Sequence, residues 1–292
     1  MYPFVYFAVF AAMCFLFIVY QYDSGYEFGM LGPVVKFLER ILRRKVTPLM
    51  AAIFLISLLI VELMAIRWLM MLAGEKIEYI FGPLFIAECW YFFRALGFSK
   101  ILARKLGRVG AEIVQLIFAS ILGLAWIILP LWFTYNAIAF ILITLGIRVI
   151  GPIKLRFLLA MLVGFVLYDV WGVFITNFIV DVAMTMKSTG GGFMIPLVVV
   201  VPGSSMALGL GDITSVGIIL TSVMEAEESR SVSASKYRLE LTVYAGFVVG
   251  LGVALSVLTI FKRPLPAMVF LAPCVIVLLQ FVSKRYNIKL NW

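Results

Sequence analysis

Two carboxylates stand inside apolar segments of this 292-residue chain. Asp169 lies in Gly164-Phe165-Val166-Leu167-Tyr168-Asp169-Val170-Trp171, and Asp212 follows Gly209 and Gly211 in Ala207-Leu208-Gly209-Leu210-Gly211-Asp212-Ile213. An ionisable side chain at bilayer depth costs at least ~2.5 kcal/mol and is a functional-site candidate by default. Two of them on consecutive spans make a candidate pair. Carboxyls held close cannot both ionise cheaply, so the pair holds one proton and titrates as a unit. That state suits amide hydrolysis: the ionised member takes a proton from an attacking water, and the protonated member hydrogen-bonds the carbonyl oxygen. Gly209 and Gly211 remove side chains next to Asp212, which lets another backbone approach.

Composition narrows the classes. Hydrophobic residues make up 64% and charged residues 13% of the chain, and the mean hydropathy is +1.12. A soluble domain of this length cannot hide so much apolar surface, so lipid is its main solvent. There is no histidine, which removes Ser-His-Asp and Cys-His mechanisms and the His-Glu-x-x-His zinc proteases. Cys14, Cys89 and Cys274 sit singly in apolar runs, so they read as small core hydrophobes rather than as disulfides or a zinc site. The net charge of +9 comes from basic loops between apolar runs, the signature of membrane orientation rather than of nucleic-acid binding.

The elements that must hold the aspartates are apolar helices. Residues 2–20 read as a retained first span, since no Lys or Arg precedes Lys36. Residues 32–45 read as an amphipathic surface helix, with Val34, Val35, Leu38, Ile41 and Leu42 on one face. Spans two and three are expected at about 49–73 and 80–97, and their internal Glu62, Arg67, Glu88 and Arg94 are expected to pair or to reach the interface. A basic loop over 100–108 follows. Spans four and five fall at about 113–132 and 134–150, span six at about 155–179 with Asp169, and span seven at about 196–224 with Asp212. Span eight, about 239–261, carries Gly246 and Gly250 one turn apart, a small face for close helix packing. Span nine is expected at about 265–283. The fold class is thus an all-α polytopic membrane protein of nine transmembrane helices.

Charge orients it. With the N-terminus outside, the cytosolic loops and C-terminus hold 18 Lys and Arg against 4 opposite, with Arg67 and Arg94 left in the spans. Asp169 then lies ~21 Å into span six and Asp212 ~20 Å from the same side on span seven, at ~1.5 Å per residue. The two carboxyls reach similar depth on antiparallel neighbours.

Tyr168-Asp169, Gly209-Leu210-Gly211-Asp212 and Pro266-Ala267-Met268, in that order on three spans, resemble the motifs of the GxGD intramembrane aspartyl proteases. Within that group the chain is most similar to the signal peptide peptidase family, with the presenilins as relatives, and the likeness covers about residues 133–284. The resemblance implies a presenilin/signal peptide peptidase-like fold in a single membrane domain, residues 1–132 forming helices 1–4 and 133–292 the catalytic helices 5–9. It implies that Asp169 and Asp212 are catalytic and that Tyr168, Gly209, Leu210, Gly211, Pro266, Ala267 and Met268 bind the substrate, with no metal and no cofactor. Substrates would be type II-oriented transmembrane segments such as remnant signal peptides. The location would be the endoplasmic reticulum membrane, N-terminus luminal and C-terminus cytosolic. Lipid and, as an option, further copies of the chain are the other partners implied; nucleic acid is not. Two departures stand out: Met268 occupies a position where the family carries Leu, and Val216 precedes Gly217 where the family often has a proline.

A different class, a polytopic transporter or proton-coupled channel, also uses midplane carboxylates and broken helices. It predicts internal repeats, which the sequence lacks.

Overall fold

The computed structural model describes residues 2–23, 77–95, 98–129, 131–153, 155–176, 198–202, 206–228, 238–262 and 265–285, with scattered helical positions between 50 and 68. The surface helix expected over 32–45 and most of span two lie outside the described residues. Helix α1 is Tyr2–Asp23, α2 Ile77–Ala95, α3 Phe98–Ile128, α4 Trp132–Ile150 and α5 Leu155–Val170. A π-helical turn, Trp171–Ile175, extends α5. Strands β1 (Val198–Val200) and β2 (Ala207–Gly209) precede α6, Leu210–Glu228. Helices α7, Arg238–Phe261, and α8, Met268–Arg285, complete the described chain.

Six of the described helices are long and apolar enough to cross a membrane: Tyr2–Gln21, Leu102–Ile128, Trp132–Ile150, Phe157–Ile175, Leu239–Phe261 and Met268–Arg285. Helices α2 and α6 each carry at least three charged residues, among them Glu88 and Arg94 in the first and Asp212 in the second.

Two expectations are corrected. Span seven does not begin as a helix at 196. Residues 198–200 pair with 207–209 in an antiparallel hairpin, Val199 opposite Leu208, and the helix starts at Leu210. The valine run Val198–Val201 prefers extended backbone, and Pro202 cannot donate to a helical ladder. The fold is therefore mostly helical rather than all-α. The basic segment 100–108 is not a loop either: it is helical up to a break at Gly107 (φ 73°, ψ 168°), left-handed backbone that suits glycine.

The chain divides into two compact units, Met1–Leu63 with Gly146–Asp181 and Gly211–Trp292, and Met64–Leu145 with Val182–Leu210. In the first, Phe15 of α1 meets Tyr244 and Phe247 of α7 edge-on, with ring centroids 6.4 and 5.7 Å apart. The Tyr244 hydroxyl donates to the Ala8 carbonyl at 3.1 Å. Helices α7 and α8 pack almost backbone to backbone, as Gly246 and Gly250 predict. A Cβ at Gly246 would stand 2.6 Å from the Val275 Cα, and one at Gly250 2.8 Å from the Leu271 Cα.

In the second unit, α2 and α3 form an antiparallel helical pair. Gly82 faces Ile127, Gly123 faces Ile86, and Phe85 meets the Trp126 ring at 4.9 Å. Its other feature is the β-hairpin. Asn136 of α4 clamps the outer edge of β1: its Nδ2 donates to the Val200 carbonyl at 2.8 Å, and its Oδ1 accepts the Val200 N–H at 2.9 Å. The side-chain amide thus takes the place of a neighbouring strand, satisfying backbone groups that would otherwise be costly in a nonaqueous surrounding.

Candidate active site

Asp169 is half-buried near the end of α5, two residues before the π turn begins at Trp171. The turn closes with the Thr176 N–H donating to the Trp171 carbonyl at 3.0 Å, five residues back, and the Thr176 hydroxyl donating to the same oxygen at 3.1 Å. The wider turn inserts an extra residue into the helical ladder and re-aims what lies beside it, a device that recurs at functional sites. The Tyr168 ring lies 6.5 Å from that of Trp171, tilted by 35°.

The last span supplies the partner of Asp169. Pro266 cannot continue a helical ladder, so α8 begins only after it. The Ala267 carbonyl accepts the N–H groups of Phe270 and Leu271, both at 3.0 Å, which makes Ala267 the residue that starts the helix. The first amides of a helix have no intrahelical acceptor. One of them, the Met268 N–H, donates to Oδ2 of Asp169 at 3.2 Å. Pro266 and Met268 are buried, and a carboxylate at a helix N-terminus is also favoured by the aligned peptide dipoles. The close packing of α7 on α8 at Gly246 and Gly250 fixes the helix that carries this amide.

Asp212 is half-buried in the first turn of α6, directly after the open strand end at Gly209. Helix α6 is held by small and hydroxyl residues. A Cβ on Gly217 would collide with the Ile147 side chain, its Cγ1 at 2.7 Å, and one on Gly146 would stand 3.3 Å from the Thr214 Cγ2. The Ser215 hydroxyl donates to the Gly211 carbonyl at 2.6 Å, and Ser222 accepts the Ile153 N–H at 2.9 Å while donating to the Ile218 carbonyl. Gly211 differs from these glycines: among the described residues nothing lies within 4 Å of where its Cβ would be, and its backbone is not left-handed. Neither the packing of the described residues nor the backbone conformation demands glycine there.

The structure thus brings Asp169 together with Met268 of the proline-containing segment and sets Gly209, Leu210, Gly211 and Asp212 on the junction of a strand and a helix. Among the described residues no three His, Cys, Asp or Glu side chains converge as a metal ion would need. The sequence did not reveal the π turn, the hairpin or the Asn136 clamp. Of these, only the hairpin left a trace, in the four valines ahead of Pro202.

A profile of the family described as signal peptide peptidase matches residues 4–290. The chain belongs to the signal peptide peptidase family. It is 26% identical over 175 residues to human signal peptide peptidase, a stretch that takes in 56% of this chain and 44% of that protein. The mouse signal peptide peptidase matches with the same identity and coverage. The chain thus spans less than half the length of these curated relatives in the match. Membership of the signal peptide peptidase family agrees with the resemblance drawn from the three motifs and with the apolar, mostly helical structure.

Proposed function

We propose that this family member is an intramembrane aspartyl endopeptidase that uses Asp169 and Asp212 as a proton-sharing pair. Water is the nucleophile. The ionised carboxylate takes its proton as the oxygen attacks the peptide carbonyl, and the protonated carboxyl hydrogen-bonds the carbonyl oxygen and later supplies the proton that the leaving nitrogen needs. The observation that carries this reading is the Met268 amide on Oδ2 of Asp169. It orients one carboxylate and leaves Oδ1 for water.

A helical substrate hides its peptide bonds and must unwind to be cut. An unwound strand in lipid needs new hydrogen-bond partners, most simply an exposed strand edge. Among the described residues strand β2 offers one: Asn136 covers the outer edge of β1, whereas Ala207 and Gly209 point their backbone groups away from β1. Gly209 is three residues from Asp212, at most ~11 Å along an extended chain. A segment paired on β2 is thereby kept within that length of chain from Asp212, with Gly211 as the small residue between them. Tyr168, Leu210, Pro266 and Ala267 are the other residues that this reading assigns to substrate binding.

The same reading takes the chain as one membrane domain of nine spans, with 133–292 as the catalytic half. Its N-terminus is luminal and its C-terminus cytosolic in the endoplasmic reticulum membrane, and its substrates are type II-oriented segments such as remnant signal peptides. The test is cleavage of a labelled signal-peptide-like segment by the purified chain in detergent. Cleavage is expected for wild type and is lost in both D169A and D212A; turnover that survives D212A ends the assignment.

A further inference from the structure

One end of the α2–α3 pair carries cations that the proposed chemistry does not use. Helix α3 is broken at Gly107. Beyond the break, Gly110 to Ile128 provides about 28 Å of helix at ~1.5 Å per residue, close to the thickness of the hydrocarbon layer. Residues up to Arg108 are therefore not needed to cross it and fall at the headgroup level. Arg104, Lys105 and Arg108 are all exposed there. Between and beside them Leu106 and Val109 are 53% and 74% exposed.

The end of α2 adds to the same surface. The Arg94 guanidinium lies 5.4 Å from the Trp90 ring centroid, and its Nε stands 3.6 Å from Oε1 of Glu112. That separation is too long for a good hydrogen bond, and both side chains remain partly exposed, so the pair is weak. Tryptophan prefers the membrane–water boundary, which sets Trp90 and Arg94 at the depth already assigned to Arg108. Arg94, Arg104, Lys105 and Arg108 thus share one end of the pair, with Glu112 as the acid beside them.

We propose that this end of the α2–α3 pair is a docking surface for the headgroups of anionic phospholipids. The cations match the phosphate and carboxylate charge of such a leaflet, and exposed Leu106 and Val109 match its acyl boundary. A soluble acidic partner would leave those two apolar side chains in water. The interaction is one of charge and depth rather than of forked geometry, so lysine serves as well as arginine.

The full chain is reconstituted in nanodiscs that contain a photoactivatable phosphatidylserine or, in parallel, the matching phosphatidylcholine, and labelled peptides are mapped. Residues 98–112 are expected to label about five-fold more with the serine lipid, and the preference should shrink at high salt. R104Q/K105Q/R108Q loses the preference in this segment, whereas labelling around Lys284 and Arg285 at the end of α8 is unchanged. R104K/R108K keeps it. Equal labelling by the two lipids in wild type overturns the proposal, as does a preference that survives the triple glutamine variant or disappears in the lysine variant.

Discussion

The amide of Met268 donates to Oδ2 of Asp169 at 3.2 Å, across 99 residues of chain. The donor is a backbone group, so changing the Met268 side chain alone cannot remove it. Proline can, and the first helical position is where proline is best tolerated. M268A keeps the N–H but loses the same buried side chain, which makes it the control. A hydrogen bond to a charged group is worth about 1.5–3 kcal/mol, or roughly 10–100-fold in rate. The kcat of M268P is expected to fall below that of M268A by that factor, measured on the labelled segment in detergent. M268L, which preserves the volume and restores the family's usual residue, should stay within about two-fold of wild type.

The close approach of α7 and α8 makes a second contrast. The Cβ of G246A would stand 2.6 Å from backbone, the Val275 Cα, whereas that of G252A would make ordinary contact with the Phe4 ring at 3.5 Å. Overpacking of this kind costs about 1–3 kcal/mol. G246A should lower the melting temperature in detergent and G252A should leave it unchanged. Equal melting temperatures would show that the two helices separate without cost.

Much of this arrangement was legible in the sequence because lipid makes polar residues conspicuous. Asp169 and Asp212 stood out against apolar runs, Gly246 and Gly250 announced their close face, and Pro266 marked where the last helix starts. The hairpin was not legible. Val198–Val201 reads as apolar span as easily as strand, since periodicity does not separate a short buried strand from a helix segment. Its stabiliser, Asn136, lies 64 residues away from Val200 on α4. The π turn at Trp171–Ile175 was not legible either, since nothing in Trp171-Gly172-Val173-Phe174-Ile175 distinguishes it from ordinary helix.

The Asn136 clamp predicts how the hairpin fails. N136L removes both partners of Val200 and leaves a partly buried N–H and C=O unsatisfied, at up to roughly 1–3 kcal/mol for such a group. Hydrogen exchange over 198–202 and 206–209 should accelerate by about ten-fold or more, with exchange in α7 and α8 unaltered. N136D keeps the acceptor for the Val200 N–H but sets an oxygen against the Val200 carbonyl, so it should be no better. Protection that is unchanged in N136L would mean that the hairpin stands without its clamp.

Gln115 points the other way, to a substitution that stabilises. It is fully buried in α3, and neither its Oε1 nor its Nε2 has a hydrogen-bond partner among the described residues. Replacing an unsatisfied amide by an apolar group of similar size recovers part of its desolvation cost, about 1–3 kcal/mol. Q115M and Q115L should therefore raise the melting temperature. A lower value in both would mean that a bound water satisfies the amide.

Gly211 separates a structural glycine from a functional one. Its Cβ position meets none of the described residues and its backbone is not left-handed, so G211A should fold with an unchanged melting temperature. G217A, whose Cβ would run into Ile147, should not. If a substrate backbone passes beside Asp212, the added methyl stands in its path, and kcat/KM should fall by about ten-fold or more. An effect on positioning at the reacting bond appears in kcat, whereas one on initial docking appears in KM alone. Because the methyl meets only the substrate, a labelled segment with glycine at the position opposite Gly211 should recover much of the lost rate. G211A with wild-type kcat/KM on all segments would leave the open space beside Asp212 without a role in substrate approach.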